Sequence, residues 1–496
     1  MAGITFGTDG WRGIIARDFT FANVELVARA VAGYVQARGL AGRGVVVGYD
    51  NRFLSDRFAE TVAGVLNARG IPVYWAERSL PTPVVAFAIK EYGAGGAVVI
   101  TASHNPPEYN GFKFIPEYAG PALPPITKEI EENIRKLEGS AGGGRPGEPG
   151  PGPGAGAEAA PGGGEPGPAA GAAGQRRVID PRPAYFAHLR RLIDLEEIGR
   201  AGLKVVVDPM YGAGAGFLEE ILREAGAQVE VIHNRRDPLF GGVLPEPAGH
   251  SLGELRARVK ESGADLGLAL DGDADRFGIV DGDGSYISPN QFLPLVYEHL
   301  LAGKGWRGPV VRTVATTHLL DRIAGAFGEK AYETPVGFKY IGQHLLEKGC
   351  LLGGEESGGL SVRGHVPEKD GVLAGLLAAE IVARRRKGLG ECLRELWGRY
   401  GRLLSERLDL PTTPQQKERL LAVLKDLAPE EAAGKRVRSR LTADGTKLVF
   451  EDGSWLLIRP SGTEPLFRIY VEAGTPEEVR QIQDWCRALI RQDTGR

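Results

Sequence analysis

The chain has 496 residues, 42% hydrophobic and 25% charged, and its 60 Lys and Arg against 63 Asp and Glu leave a formal net charge of −3. That length exceeds what one hydrophobic core supports and implies three or four domains. The near-neutral balance excludes a global basic field for nucleic acid or an anionic membrane surface, so any anion must be bound locally. Cys350, Cys392 and Cys486 lie far apart without metal-ligand spacing, as in a reducing compartment. No secretory leader pattern opens the chain and no apolar run could span a bilayer, so a cytoplasmic protein is expected.

The first 138 residues alternate strand and helix signals. Val45–Gly48 reads as a short buried strand, and Phe58 to Ala68 as a helix with apolar residues at helical spacing. Ile71–Trp75 and Ala97–Ile100 are further strands. Thr101-Ala102-Ser103-His104-Asn105-Pro106 follows at a strand's carboxyl end, where open α/β sheets place ligands. A Ser beside a His is common and proves nothing alone, and the G-x-S-x-G elbow of hydrolases is absent. Residues 139–174 contain no Val, Ile, Leu, Met or aromatic side chain. They cannot bury enough apolar surface to offset their ordering entropy and read as a disordered insert, 139–177 including its flank.

The second unit, 178–287, opens on Leu203–Asp208. The glycine-rich Tyr211–Phe217 then has Phe217 where a dinucleotide fingerprint needs its third glycine, so it reads as a tight turn. Leu266–Leu270 leads into Asp271, Asp273 and Asp275. In an extended loop these alternate positions point one way, and hard oxygen ligands select Mg²⁺ or Ca²⁺. The EF-hand reading fails, since its glycine and glutamate positions hold Arg276 and Gly282. The third unit, 288–402, contains Gly354-Glu355-Glu356-Ser357-Gly358, where Glu355 and Ser357 can face one ligand. The last, 403–496, has a hairpin signal over Lys447–Ile458, a strand from Leu466 and a closing helix from Pro476. Between them, Arg459, Ser461, Gly462 and Thr463 combine a forked cation, hydroxyls and exposed backbone N–H groups, the makings of a phosphate site. The fold class expected is three tandem α/β domains plus a smaller C-terminal α+β domain around a central cleft.

These four loops, in this order and spacing, resemble those of the α-D-phosphohexomutase superfamily of phosphoglucomutases and phosphomannomutases, over nearly the whole chain outside the insert. The resemblance implies that Ser103 is the phosphoserine, shaped by His104 and Asn105. It implies that Arg12 faces it, that Lys113 handles a proton or charge beside it, and that Arg276 adds a cation. Mg²⁺, one per chain, would sit on Asp271, Asp273, Asp275 and the Ser103 phosphate. Glu355 and Ser357 would bind sugar hydroxyls, with Gly337, Lys339 and Lys369 in the substrate cleft and Arg312 a further candidate there. Arg459, Ser461, Gly462 and Thr463 would hold the phosphate not being transferred, with Arg468 a candidate assistant. The expected reaction interconverts hexose 1- and 6-phosphates through hexose 1,6-bisphosphate, in a monomer or weak homo-oligomer that binds no nucleic acid. Phosphoglucosamine mutases usually carry Gln before the Ser and His after the second Gly; Glu356 and Gly359 stand here, which favours glucose or mannose. The other readings are a phosphoglucosamine mutase, a catalytically silent phosphosugar binder and a metal-dependent phosphatase.

Overall fold

The computed structural model describes residues 4–7, 9–141, 175–460 and 466–494. Most of the expected insert, residues 142–174, lies outside these, as do Ser461, Gly462 and Thr463.

Three of the four sheets follow one plan. In the first, strand Val45–Tyr49 pairs in parallel with Val73–Ala76 on one side and Gly96–Ile100 on the other, and the latter turns back as antiparallel Tyr109–Pro116. In the second, Lys204–Asp208 lies between Gln228–Val231 and Leu266–Leu270, which turns back as Phe277–Asp281. In the third, Val310–Thr313 lies between Ala331–Thr334 and Leu352–Glu355, which turns back as Gly359–Val362. The Ser103, Asp271 and Glu355 loops are thus the same hairpin in three successive units. Each hairpin turns through a left-handed residue: Ser103 at φ 52°, Ala274 at φ 55° and Gly358 at φ 94°.

The first sheet gains Trp11–Ile14 at one edge and Arg176–Ile179 at the other, the latter parallel to Val73–Ala76. The chain therefore returns to the first sheet before entering the second unit, and the boundary expected at 178 falls inside this strand. The expected helix is found as Ser55–Ala68, which buries Phe58, Ala59, Val62, Ala63 and Leu66 along one face.

Helix Gly371–Arg385 is buried from Gly371 to Ala383 and is apolar on nearly all sides, the signature of a helix inside a core. It belongs to the third unit yet packs on strands Leu266–Leu270 and Phe277–Asp281 and helix Leu195–Ala201 of the second, so the two units share one core. The C-terminal sheet is antiparallel, in the order Leu404–Pro411, Leu466–Ala473, Trp455–Pro460, Thr446–Phe450, Lys435–Leu441, Glu431–Ala432. One face packs on helices Pro414–Asp426 and Pro476–Thr494. The other sets Val449, Trp455, Leu457 and Tyr470 against Val314 and Ala315 of the third unit. No helix among the described residues is long and apolar enough to cross a membrane, and the three cysteines are buried and unpaired.

Candidate active site

The Ser103 loop is held from behind by a buried arginine. Arg52 donates from Nη2 to the Ser103 and Asn105 carbonyls (2.6 and 2.5 Å) and from Nη1 to those of Pro106 and Tyr109 (2.7 and 3.1 Å). Its charge is met by Asp50 at 3.2 Å, and Asp50 also accepts from Thr101 Oγ1 and Ser55 Oγ. Thr101 Oγ1 in turn accepts from the Ser103 N–H at 2.9 Å. A non-glycine residue at positive φ costs energy, and this network over-determines the turn. The side chain of Ser103 is thereby turned toward the second unit, where its Oγ donates to Asp271 Oδ2 at 2.7 Å. His104 Nδ1 lies 3.3 Å from the same Oγ. Burial, with Arg276 and Arg12 nearby, pushes the imidazole well below its usual pKa, so it is neutral. Arg12 reaches the loop through Asn105 Oδ1 at 2.8 Å.

Asp271, Asp273 and Asp275 are buried, and each offers an oxygen within 4.8 Å of the others. They converge through a turn, not through the extended backbone the sequence suggests: Ala274 N bonds Asp271 O at 3.0 Å and Ala274 is left-handed. One oxygen of each is anchored. Asp271 Oδ1 accepts from Arg276 N, Asp273 Oδ2 from Thr82 Oγ1, and Asp275 Oδ2 from Lys113. The other oxygens are Asp271 Oδ2, facing Ser103, and Asp273 Oδ1 and Asp275 Oδ1, buried without a hydrogen-bond partner. Buried polar atoms are rarely left bare, and three buried carboxylates that bring an oxygen each within 4.8 Å of the others, two of them with an unpartnered oxygen, fit a divalent cation. The Tyr211–Phe217 turn explains its glycines here: a Cβ on Gly212 would lie 2.8 Å from the Gly272 carbonyl, so this turn backs the aspartate loop.

Two buried lysines face this cage. Lys113 Nζ lies 2.9 Å from Asp9 and Asp273 and 3.0 Å from Asp275. Lys369 Nζ lies 3.3 Å from Asp9 and Asp275 and 3.2 Å from Glu368. Burial favours neutral lysine, but the surrounding carboxylates outweigh it and both are held protonated. Burial pushes Glu368 up to about 7 despite Lys369. Asp370 caps helix Gly371–Arg385 through the Leu373 N–H and accepts from Tyr185 and His365, which directs the preceding Lys369 into the cleft. Asp9, Asp50, Arg52 and Thr82 escaped the sequence reading. The signal for Asp50 and Arg52 was their place directly after strand Val45–Tyr49, as for Ser103 after Gly96–Ile100.

Glu355 is buried and Ser357 exposed in the third hairpin, and burial raises the Glu355 carboxyl against the pull of Lys369. Arg276 follows the aspartate turn, its guanidinium 3.9 Å from Asp275. Gly337 (φ 130°) precedes helix Phe338–Glu347, with half-buried Lys339 in its first turn. Arg459 Nε bonds Asp444 at 2.9 Å. Arg312 does not enter the cleft. It is buried between Asp321 and Glu333, each at 2.5 Å, because strand Val310–Thr313 carries it beneath the C-terminal domain.

Comparison with known proteins covers the whole architecture. Models of the phosphoglucomutase/phosphomannomutase domains match in order: alpha/beta/alpha domain I at 3–140, domain II at 183–284, domain III at 288–400 and the C-terminal domain at 409–488. A phosphoglucomutase/phosphomannomutase of Thermococcus kodakarensis is 33% identical over 99% of both chains. A Pyrococcus abyssi protein provisionally named a phosphoglucosamine mutase is 32% identical over 98% of this chain and 97% of its own. A crystal structure from Thermus thermophilus, provisionally described as a phosphomannomutase, superposes with a TM-score of 0.81 at 36% identity over 99% of each chain.

Proposed function

We propose a specific reaction for this chain, which belongs to the phosphoglucomutase/phosphomannomutase family and is accordingly a phosphohexomutase, an intramolecular phosphotransferase. The reaction is the Mg²⁺-dependent interconversion of hexose 1-phosphate and hexose 6-phosphate, glucose preferred and mannose accepted. It runs through phosphorylated Ser103 and a hexose 1,6-bisphosphate. The observation that carries it is a buried serine hydroxyl 2.7 Å from an aspartate whose cage keeps bare oxygens.

Moving a phosphoryl group between two ends of one sugar becomes two transfers at one centre if a side chain gives and retakes it. Phosphorylated Ser103 gives its phosphoryl group to the free hydroxyl: the Ser103 O–P bond breaks as the sugar O–P bond forms, and the proton lost by the sugar hydroxyl is balanced by the one that Ser103 Oγ takes up as it becomes a free hydroxyl again. The bisphosphate then turns end for end, and Ser103 Oγ takes back the other phosphate. Asp271, Asp273 and Asp275 would hold Mg²⁺, which when bound neutralises charge on the transferring group. Lys113, kept cationic by Asp9, Asp273 and Asp275, serves as a fixed charge and not as a base. Arg12, Arg276 and neutral His104 line the same face. Glu355 and Ser357 read sugar hydroxyls, with Gly337 and Lys339 beside them. Arg459 with Ser461, Gly462 and Thr463 grips the distal phosphate.

Two features bear on the sugar. Glu356 accepts from Thr313 Oγ1 at 2.7 Å and Thr316 Oγ1 at 3.2 Å, so it serves its own unit and says little about position 2 of the sugar. Gly359 says more. A Cβ there would lie 2.5 Å from Lys369 Cδ, so a His at 359 and this placement of Lys369 exclude each other. The Lys369 arrangement supports glucose over an amino sugar.

A coupled assay with Mg²⁺ and catalytic hexose 1,6-bisphosphate tests this on glucose 1-phosphate, mannose 1-phosphate and glucosamine 1-phosphate in parallel. Turnover led by glucose is expected. Glucosamine leading would overturn the sugar assignment, and inorganic phosphate released without isomerisation would make the protein a phosphatase.

A further inference from the structure

We propose that Asp444 is a positioning residue that joins the arginine of the phosphate loop to the substrate loop of the third unit, so that the two ends of the ligand are gripped as one. The inference rests on the mutase reading for its purpose, but its geometry is independent of it.

Asp444 occupies the turn between strands Lys435–Leu441 and Thr446–Phe450. Its two carboxylate oxygens are committed to different domains. Oδ1 accepts from Arg459 Nε at 2.9 Å, inside the C-terminal domain. Oδ2 accepts from the Val336 N–H at 3.0 Å, in the third unit. Val336 immediately precedes Gly337, whose φ of 130° opens helix Phe338–Glu347, with Lys339 in its first turn.

The turn is fixed on the arginine side. Gly445 has φ 90°, and a Cβ there would lie 2.5 Å from the Ile458 carbonyl and 3.1 Å from Arg459 Cα. Asp444 and Arg459 therefore hold one geometry within the C-terminal domain, and of the two bonds of Asp444 the one to Val336 is the one that crosses between domains. Other contacts between these two domains include the apolar patch around Trp455, the bonds of Lys447 to the Val314 carbonyl, Glu333 and His318, and the bond of the His318 N–H to Glu472. The Val336 side chain packs on the edge of that patch, so the bond from its N–H to Asp444 adds a directional polar link to an apolar one.

A charge-assisted bond from a backbone N–H to a carboxylate is short and directional. With it made, the Gly337 turn and the guanidinium of Arg459 hold one mutual geometry. With it broken, the Gly337 turn loses a restraint and Lys339 loses its defined approach. Phosphate capture by Arg459 then favours an ordered Lys339, and the reverse, because energetic coupling between sites is reciprocal.

A double-mutant cycle on ligand binding tests this. Binding of glucose 6-phosphate is measured calorimetrically for the full chain, for Asp444→Ala, for Lys339→Ala and for the double variant, with thermal unfolding as the fold control. Each single change is expected to weaken binding about 10-fold. The double variant should then lose several-fold less than the product of the two, because Lys339 is already unmoored without Asp444. Multiplicative losses would overturn the link and leave Asp444 as a local partner of Arg459. Should Asp444→Ala unfold, Asp444→Asn replaces it. The amide retains one carbonyl acceptor but no charge, and a several-fold departure from multiplicativity is again required. Isomerase activity is assayed separately. Coupled binding without turnover would keep the link and sink the mutase reading, whereas turnover with multiplicative binding losses would do the opposite.

Discussion

Ser103 donates to Asp271 across a sequence separation of 168 residues and a gap of 2.7 Å. The contact joins the turn of one hairpin to the turn of the same hairpin one unit later. The third hairpin continues the series, since the Phe277 N–H bonds the Gly358 carbonyl at 3.2 Å. The proposed nucleophile, cation cage and sugar reader thus occupy one topological position used three times, at the carboxyl ends of strands.

Replacing Ser103 by Ala removes the proposed acceptor of the phosphoryl group and little else, since its backbone bonds to Thr101 and Arg52 remain. Turnover should fall by at least about 10³-fold, with binding of glucose 6-phosphate within a few-fold of the parent. Steady-state kinetics and calorimetry check both. Near-parental turnover would remove Ser103 from the mechanism. Adding a chelator to the parent should abolish turnover in the same assay, with Mg²⁺ restoring it.

Arg52 carries no reacting atom, yet it holds four carbonyls of the Ser103 loop. Arg52→Lys keeps the charge beside Asp50 but has one nitrogen where two forked ones are needed. We expect turnover down by about 10²-fold, from a nucleophile misplaced by an ångström or so. The fold should survive at a cost of about 1–3 kcal/mol in thermal or urea unfolding. Arg52→Ala leaves Asp50 buried and unpaired and should cost about 3–5 kcal/mol. A lysine variant with full activity would show that Asp50 and Thr101 suffice to set the loop.

The sequence carried the chemistry better than the geometry. Ser103, the three aspartates and Glu355 are legible because each follows an apolar strand and belongs to a motif of specific residue types. The threefold plan is not legible: any short apolar strand satisfies the pairing, so the units share topology without sharing residues. Arg312 misled for a related reason. Its place at a strand end matched that of residues lining the cleft, but the acids that claim it, Asp321 and Glu333, come from later elements. Arg52 and Asp444 were missed because the contacts that single them out, four carbonyls for Arg52 and the Val336 N–H for Asp444, are to backbone groups, which leave no trace in side-chain pattern. The insert boundary failed because Arg176–Ile179 is a short, largely exposed edge strand with little apolar signal.

Gly359→Ala tests whether Lys369 needs its observed path. The added Cβ would meet Lys369 Cδ at 2.5 Å and Cγ at 2.7 Å. The lysine stem is buried and its ammonium is committed to Asp9, Asp275 and Glu368, so it cannot simply swing into solvent. Loss of kcat by about 10–10²-fold is expected with a Tm within a few degrees of the parent. Lys369→Met should produce a similar kcat without the clash. Full activity in the alanine variant would show that the lysine has an alternative route to the cleft.

Glu333 should make the seat of the C-terminal domain sensitive to acid. Burial alone would raise its carboxyl, but the contact with His318 and the charges of Arg312 and Lys447 outweigh burial and hold it well below the usual range. The same burial, with Arg312 adjacent, lowers Lys447 to about 8, so near neutral pH that lysine is still charged and paired at 2.7 Å. The sign for Glu333 follows from its depressed folded value. The unfolded chain takes up the proton first, so the stabilisation is fully present above the ordinary Glu pKa of about 4.3 and is lost as pH falls through the carboxylate range. Glu333→Gln should destabilise the protein by about 1–3 kcal/mol at pH 7. Because the amide does not titrate, its unfolding curve should approach that of the parent between about pH 5 and pH 3. Tm values measured across that range decide the matter. A gap that stays constant down to pH 3 would mean that Glu333 is no more acidic in the folded protein than in the unfolded chain.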